Sequence, residues 1–365
     1  MPLTPSGGGA FAANYHAYKE LEGHNEARYA GSIQSQPDRF SSTISKLRRK
    51  ILHLPGKFSP FSPSCLRRNA EEVDRTLEAN DEMAFFRAIT PWTHWKPDRP
   101  YAAYCDVGFH TFFHNTFSPK SFLKSDLERI WDSEKKFLES ANAVFFESQW
   151  GLEQTRTAYG LPGTNFFYAG RGGVIPTPDK DCWPDNSLRL VTSAKNFKQK
   201  GGDLVAKAFD ILKPEIPDLT WSILGGEPDF DWSKKDGVTY EGFLDPQREE
   251  EMDKMTDVLS RAFLFLHPTR EDINPLVITE AAYFGCPSIS VRKFALPELI
   301  QDGTTGLLID PPIPPEAIAE SIRLLISDPE GYRAMRKAAR EFALKTSTWK
   351  LVGERMSRVI DKIQH

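Results

Sequence analysis

Asp272-Ile-Asn-Pro-Leu-Val-Ile-Thr-Glu280 sets two acids eight positions apart with a helix start between them. Asn274 suits an N-cap and Pro275 the first helical position. Val277, Ile278, Ala281 and Ala282 continue an apolar face, Gly285 suits the left-handed position after the last turn, and Pro287 blocks continuation. The stretch therefore predicts Asp272 in a loop and Glu280 inside the helix that follows. Free N–H groups at a helix start attract anions, so a phosphate can rest there while the acids accept hydrogen bonds from sugar hydroxyls.

Around this stretch, short apolar strands alternate with helices. Strands are expected at 188–193, 219–225, 238–242, 262–267 and 288–291, and helices at 203–213, 246–260, 275–284, 315–326, 329–344 and 349–363. That alternation implies a parallel sheet covered on both faces, whose ligands bind beyond the carboxyl ends of its strands. The first half is less regular. Helices are expected at 10–21, 125–140 and 150–159, and strands at 26–32, 83–89, 101–106 and 143–147, as a second α/β unit. Prolines and aspartates crowd 174–186, which reads as a linker.

The chain has 365 residues, which favours two domains, and 40% of them are hydrophobic, enough for real cores. A net charge of −4 argues against a general nucleic-acid binder. Cys65, Cys105, Cys182 and Cys286 are scattered with no C-x-x-C, so neither a disulfide framework nor a zinc site is expected, and a reducing compartment is. The first residues lack the charged and apolar regions of a signal peptide, and no run approaches 18 apolar residues. These features point to a cytoplasmic location, peripheral at the inner membrane face if the basic segment described below meets lipid.

The signature continues through Gly285-Cys286-Pro287, Ser288-Ile289-Ser290, Leu296-Pro297-Glu298-Leu299-Ile300 and Asp302-Gly-Thr-Thr-Gly-Leu-Leu308. In order and spacing, the run from His267 to Leu308 resembles the retaining family-4 glycosyltransferases of the GT-B fold (glycosyl transferases group 1). Their mark is E-x7-E, a small-residue helix and a Gly-x-Pro turn; here Asp272 stands in the first acidic position. The resemblance implies an α/β chain of GT-B architecture, with two Rossmann-like domains facing a cleft. The expected domains are an N-terminal acceptor-side domain at 1–178, a linker at 179–187, a nucleotide-sugar domain at 188–348, and a helix at 349–365 crossing back to the first domain. Members of the family begin with a full strand before a glycine loop, and only six residues precede Gly7, so either the first strand is truncated or the true start lies upstream.

The implied activity is metal-independent transfer of a hexose from a nucleotide-diphosphate sugar to a sugar, glycan or lipid-linked acceptor, with retained configuration and no cofactor. The leaving phosphate would assist deprotonation in a same-face attack. Ser193-Ala-Lys195-Asn-Phe-Lys-Gln-Lys200-Gly-Gly-Asp-Leu resembles the family's diphosphate grip, with Lys195 and Lys200 as point charges. Asp272 would bind donor-sugar hydroxyls, Glu280 the ribose hydroxyls, and Asn274, Pro275 and Leu276 the phosphates or the sugar. Gly7-Gly8-Gly9 before a helix is a second phosphate-facing candidate, with Gly8 and Gly9 closest to it, although a flexible terminal glycine run reads the same way. Gly225-Gly226-Glu227 and Tyr240-Glu-Gly-Phe-Leu244 match loops that flank the nucleobase through backbone contacts. Asp106, then His110 and then His114, are candidates for the reacting centre or acceptor, against the plainer reading of structural residues.

Glu139–Trp150 resembles a family segment that mostly fixes the first domain's core, and Arg171 in Gly170-Arg-Gly-Gly173 reads first as a structural turn. Residues 44–58 carry Lys46, Arg48, Arg49, Lys50 and Lys57 beside an apolar face of Ile44, Leu47, Ile51 and Leu54. This is either a peripheral membrane contact or, as the plainer reading, a helix packed on its domain with a solvated basic face. Two rival functions share these features: a nucleotide-sugar epimerase of the same fold, and a non-catalytic transferase-like partner protein.

Overall fold

The computed structural model describes residues 9–33, 39–181, 183–184 and 187–364. They divide into two compact units. The first takes 17–170 and the chain from 353 onward, and the second takes the residues up to His16 in the first described helix together with 171–352.

Helix α1 (Gly9–His24) belongs to the first unit only from Ala17; in that unit α2 (Arg39–Lys50) and α3 (Pro63–Thr76) then lead into β1 (Ala84–Arg87), β2 (Tyr101–Cys105), α4 (Phe109–Thr116), α5 (Lys124–Ser140), β3 (Ala143–Phe146), α6 (Gln149–Tyr159) and β4 (Phe166–Tyr168). The four strands pair in chain order, all parallel. Both faces of β2 and β3 are buried, as a helix-covered parallel sheet requires. Residues 26–32 form no strand. None of them is buried, so there is no apolar face to pair, and Arg28 instead donates to the Thr76 carbonyl (3.1 Å) and the Asp81 carboxylate (2.5 Å). His110 and His114 lie on α4 and not in a loop. That helix forms because Phe109 and Phe113 bury one face, and the Glu134 carboxylate accepts the Phe109 N–H (2.7 Å) at its first turn.

The second unit runs β5 (Arg189–Ala194), α7 (Gly202–Leu212), β6 (Thr220–Gly225), β7 (Val238–Gly242), α8 (Glu249–Ser260), β8 (Ala262–His267), α9 (Leu276–Tyr283), β9 (Ser288–Val291), α10 (Leu296–Leu299), β10 (Gly306–Ile309), α11 (Pro315–Ser327) and α12 (Pro329–Thr346). The last helix, α13 (Trp349–Gln364), starts here and belongs to the first unit from Gly353. The strand order is β10-β9-β8-β5-β6-β7, all parallel. Counted within the unit this is the doubly wound order 3-2-1-4-5-6 read backwards, so the winding reverses between β5 and β8. Leu190, Phe209, Trp221, Leu264 and Ile322 fill one side of the sheet, and Phe265, Ile278 and Phe284 fill the other. Helix α9 starts one residue later than expected, with Pro275 in extended geometry as its cap. Its end follows the sequence reading. Gly285 has φ +70°, its N–H reaches the Ala282 carbonyl, and the Cys286 N–H reaches that of Ala281, a Schellman closure.

The turn into α7 depends on one glycine. Gly201 has φ +81°, and a Cβ there would lie 2.2 Å from the Pro268 carbonyl oxygen. Gly201→Ala is expected to lose on the order of 1–3 kcal/mol from backbone strain alone, more once the clash is added. The midpoint of urea unfolding checks this, and a wild-type midpoint would refute it.

Candidate functional site

The loops after β5 and β8 are the two that leave the sheet where its winding reverses, the place where open α/β sheets bind ligands. Glycines press them together. Gly201 lies against Pro268, and Gly226, after β6, would drive a Cβ to 2.2 Å from the Lys195 carbonyl oxygen. Arg270 adds a clamp, forming a paired hydrogen bond with Asp203 (2.7 and 2.9 Å) while its N–H reaches the Gln199 carbonyl.

These constraints bring Lys200 onto Asp272, whose Oδ1 accepts from the ammonium. The other carboxylate oxygen lies 2.8 Å from Nε2 of His267, a buried side chain at the end of β8. Asp272 is further aimed by Thr269, whose hydroxyl accepts the Asp272 N–H (3.0 Å). Burial pushes the Asp272 carboxyl up, but the hydrogen bond and charge from His267 and the Lys200 ammonium outweigh it and hold it down at about 2. Lys195 is exposed at the start of the same loop. Lys200, Asp272 and the start of α9 are thus drawn into one neighbourhood. His267 and Thr269 were not singled out from the sequence; the signal available was the histidine closing a fully apolar strand.

Glu280 is buried and faces the segment that enters the unit. Its Oε1 accepts the Val174 N–H (2.9 Å). Burial raises its pKa, against the Val174 and Ile175 amides and the Arg171 charge. Gly172 and Gly173 permit this approach: a Cβ on Gly172 would meet the Trp349 nitrogen at 2.6 Å, and one on Gly173 the Glu280 Cγ at 2.8 Å. The Tyr283 hydroxyl accepts the Gly173 N–H (2.9 Å), and the Trp349 indole donates to the Gly173 carbonyl (2.8 Å). Arg171 donates to the Asn274 carbonyl (2.8 Å), so the guanidinium sits beside the start of α9. Asn274 and Leu276 are buried there, and Leu244 packs at the edge of the core beneath α9.

In the other unit Asp106 directly follows β2, and its carbonyl oxygen leaves no room for a Cβ on Gly151 (2.2 Å). His110 is packed among rings, 4.2 Å from His114 and 4.9 Å from Trp131 between centroids, and burial lowers its pKa first, with the His114 charge adding. Gly7 and Gly8 lie outside the described residues, and Gly9 is the first residue of α1.

By fold, the chain is a GT-B protein. It superposes on the sucrose-phosphate synthase of Thermosynechococcus elongatus with a TM-score of 0.61 at 16% identity, covering 82% of this chain and 79% of that one. It superposes on Anabaena HepE, solved with UDP, at 0.59 and 17%, covering 82% and 84%. Residues 178–342, which lie in the second unit, match the family model described as "Glycosyl transferases group 1". A relative from Mycolicibacterium smegmatis, a GDP-mannose-dependent alpha-(1-6)-phosphatidylinositol monomannoside mannosyltransferase, is 27% identical over 186 residues. That match spans 47% of this chain and 47% of the relative, about half of each.

The Asp272 carboxyl titrates at about 2, against an ordinary 3.8. Its interactions therefore favour the folded protein above the ordinary value, and that contribution is lost as pH falls through about 2. Replacing Lys200 with Met removes a charge and a hydrogen bond but leaves the burial. The Asp272 midpoint should then rise toward its ordinary value, and the stability lost on acidification should become smaller. A carboxyl-detected NMR titration that gives the same midpoint in both proteins would refute the coupling.

Proposed function

We propose that this chain is a retaining, metal-independent glycosyltransferase that moves a hexose from a nucleotide-diphosphate sugar to a sugar, glycan or lipid-linked acceptor. The observation that carries the reading is the meeting of Lys200, Asp272 and the start of α9 at the reversal point of the second sheet. A diphosphate needs cations and N–H donors, and a hexose needs carboxylates that stay ionised. Asp272 meets the second need, because its carboxyl is held far below neutral pH. Lys200 and Lys195 meet the first together with the amides at the start of α9.

In the donor complex Lys200 turns from Asp272 to the diphosphate, and Asp272 accepts from hydroxyls of the hexose. Charge grows on the leaving diphosphate in the transition state, so the lysine that binds it also lowers the barrier. Glu280 accepts from ribose hydroxyls with the lone pairs left by Val174, since a carboxylate has about four acceptor sites. Asp106, and failing it His110, acts on the acceptor or the reacting centre. The names of relatives support a nucleotide-sugar donor: one is GDP-mannose-dependent, and HepE was solved with UDP.

The test pairs binding with transfer. Uridine, guanosine and adenosine diphosphates are screened by thermal shift; the right nucleotide at a hundred times its dissociation constant stabilises by roughly 2.7 kcal/mol. Lys200→Ala should weaken that nucleotide and slow transfer. Asp106→Asn should leave nucleotide affinity nearly unchanged and cut single-turnover transfer by about 10²-fold or more. A wild-type rate in Asp106→Asn makes Asp106 structural, and no response to any nucleotide overturns the reading.

The metal requirement is tested separately. Transfer should survive excess EDTA, because lysines and helix amides meet the phosphate charge. Complete loss that only Mg²⁺ or Mn²⁺ restores would refute metal independence.

A further inference from the structure

Helix α2 carries its apolar residues on the wrong side for a core. Phe40, Ile44, Leu47 and Ile51 recur at spacings of four, three and four, and at about 100° per residue they form one narrow stripe. That stripe faces solvent: Phe40 is 74% exposed, Leu47 47% and Ile51 66%, and Leu52 and Leu54 continue the exposure past the helix.

The opposite side holds the helix to its unit. Ser45 is buried and donates to the Lys57 carbonyl (2.6 Å), and Arg48 donates to the Pro55 carbonyl (3.0 Å). Arg49 lies over the Phe122 ring (4.7 Å). Gly56 bonds to Ser121 and Leu123 through its N–H and carbonyl, and a Cβ there would lie 2.4 Å from the Ser45 hydroxyl. The helix is therefore bolted down by its polar side with its apolar side outward. The helix is thus packed on its unit with basic residues in solvent, as the plainer reading has it, but its apolar side is left outward as well.

Charge selects what covers the stripe. Residues 39–57 contain Arg39, Lys46, Arg48, Arg49, Lys50 and Lys57 and no acid, in a chain whose net charge is −4. At about 100° per residue, Arg39, Lys46 and Lys50 line one border of the stripe. Arg39, Lys46, Lys50 and Lys57 are exposed. A second copy placed symmetrically on this face would bring like charges together. We propose that α2 and the turn after it dock on an anionic lipid bilayer, the stripe entering the interface and the basic border meeting the head groups. No helix among the described residues is long and apolar enough to cross a membrane, so this contact would be peripheral.

The test needs no sugar transfer, so it stands apart from the reading of the donor site. The full chain is floated with vesicles of phosphatidylcholine, alone or mixed with phosphatidylglycerol. It should bind the mixed vesicles at low salt and release as the Debye length falls from about 30 Å at 0.01 M to about 8 Å at 0.15 M. Lys46→Glu with Lys50→Glu should weaken binding roughly tenfold or more, and Leu47→Ser with Ile51→Ser should abolish it. Leu324→Ser, at an exposed leucine in the other unit, should change nothing. Failure of the wild-type chain to bind mixed vesicles at low salt overturns the proposal. So does wild-type flotation of the serine pair, or equal binding to phosphatidylcholine alone. A chain that never floats but is a dimer in gel filtration, and a monomer with the serine pair, would assign the stripe to a second copy instead.

Discussion

The close approach of two backbone segments, Gly201 against the Pro268 carbonyl, governs the site in the second unit. The loop after β5 carries the lysines and the loop after β8 carries Asp272, and neither loop is regular structure. They are held by glycines that leave no volume between the chains, and by Arg270 reaching back to Asp203 and Gln199. Any side chain at 201 would push the loops apart and separate Lys200 from Asp272. The reversal of strand order between β5 and β8 makes these two loops neighbours at all.

The two acids of the signature are pushed in opposite directions by their surroundings. Asp272 is held low by His267 and Lys200, while burial dominates at Glu280 and raises it despite two backbone amides and the Arg171 charge. Two carboxylates on one motif are thereby given different work. Asp272 is a carboxylate held ionised well below neutral pH and paired with the Lys200 ammonium. Glu280 is a pinned group whose carboxylate ties Val174 to α9. The glycines at 172 and 173, read from the sequence as a turn, are the condition for that tie, because Trp349 and Glu280 occupy the space a Cβ would take.

The first unit shows the same separation of anchoring from exposure. Helix α2 is fastened by Ser45, Arg48 and Arg49, polar residues that would ordinarily be assigned to solvent, and its apolar residues are left outside. Amphipathic spacing is symmetrical in this respect: it says that a helix has two faces and not which one is buried. Glu134 illustrates the converse, a fully buried carboxylate accepting from Thr90 and Phe109, with the start of α4 as the structure it supports.

Much of the second unit was legible in the sequence, because period and punctuation are local. The strands at 238–242, 262–267 and 288–291 appear with the expected ends, and Gly285 closes α9 as its position after the last apolar turn requires. The E-x7-E-like spacing placed Asp272 in a loop and Glu280 in a helix for the same reason. What depended on partners distant in the chain was not legible. Residues 26–32 have strand-like composition but no neighbour to pair with, and His110 and His114 became helical once Glu134 accepted an amide at the start of α4. The contacts of Asp272 with Lys200 and of Glu280 with Val174 join residues 72 and 106 positions apart. The sequence by itself determined which segments are strands and helices and which residues carry charge. Only the tertiary structure decided which charges meet, because burial and ion pairing are set by neighbours brought together in space.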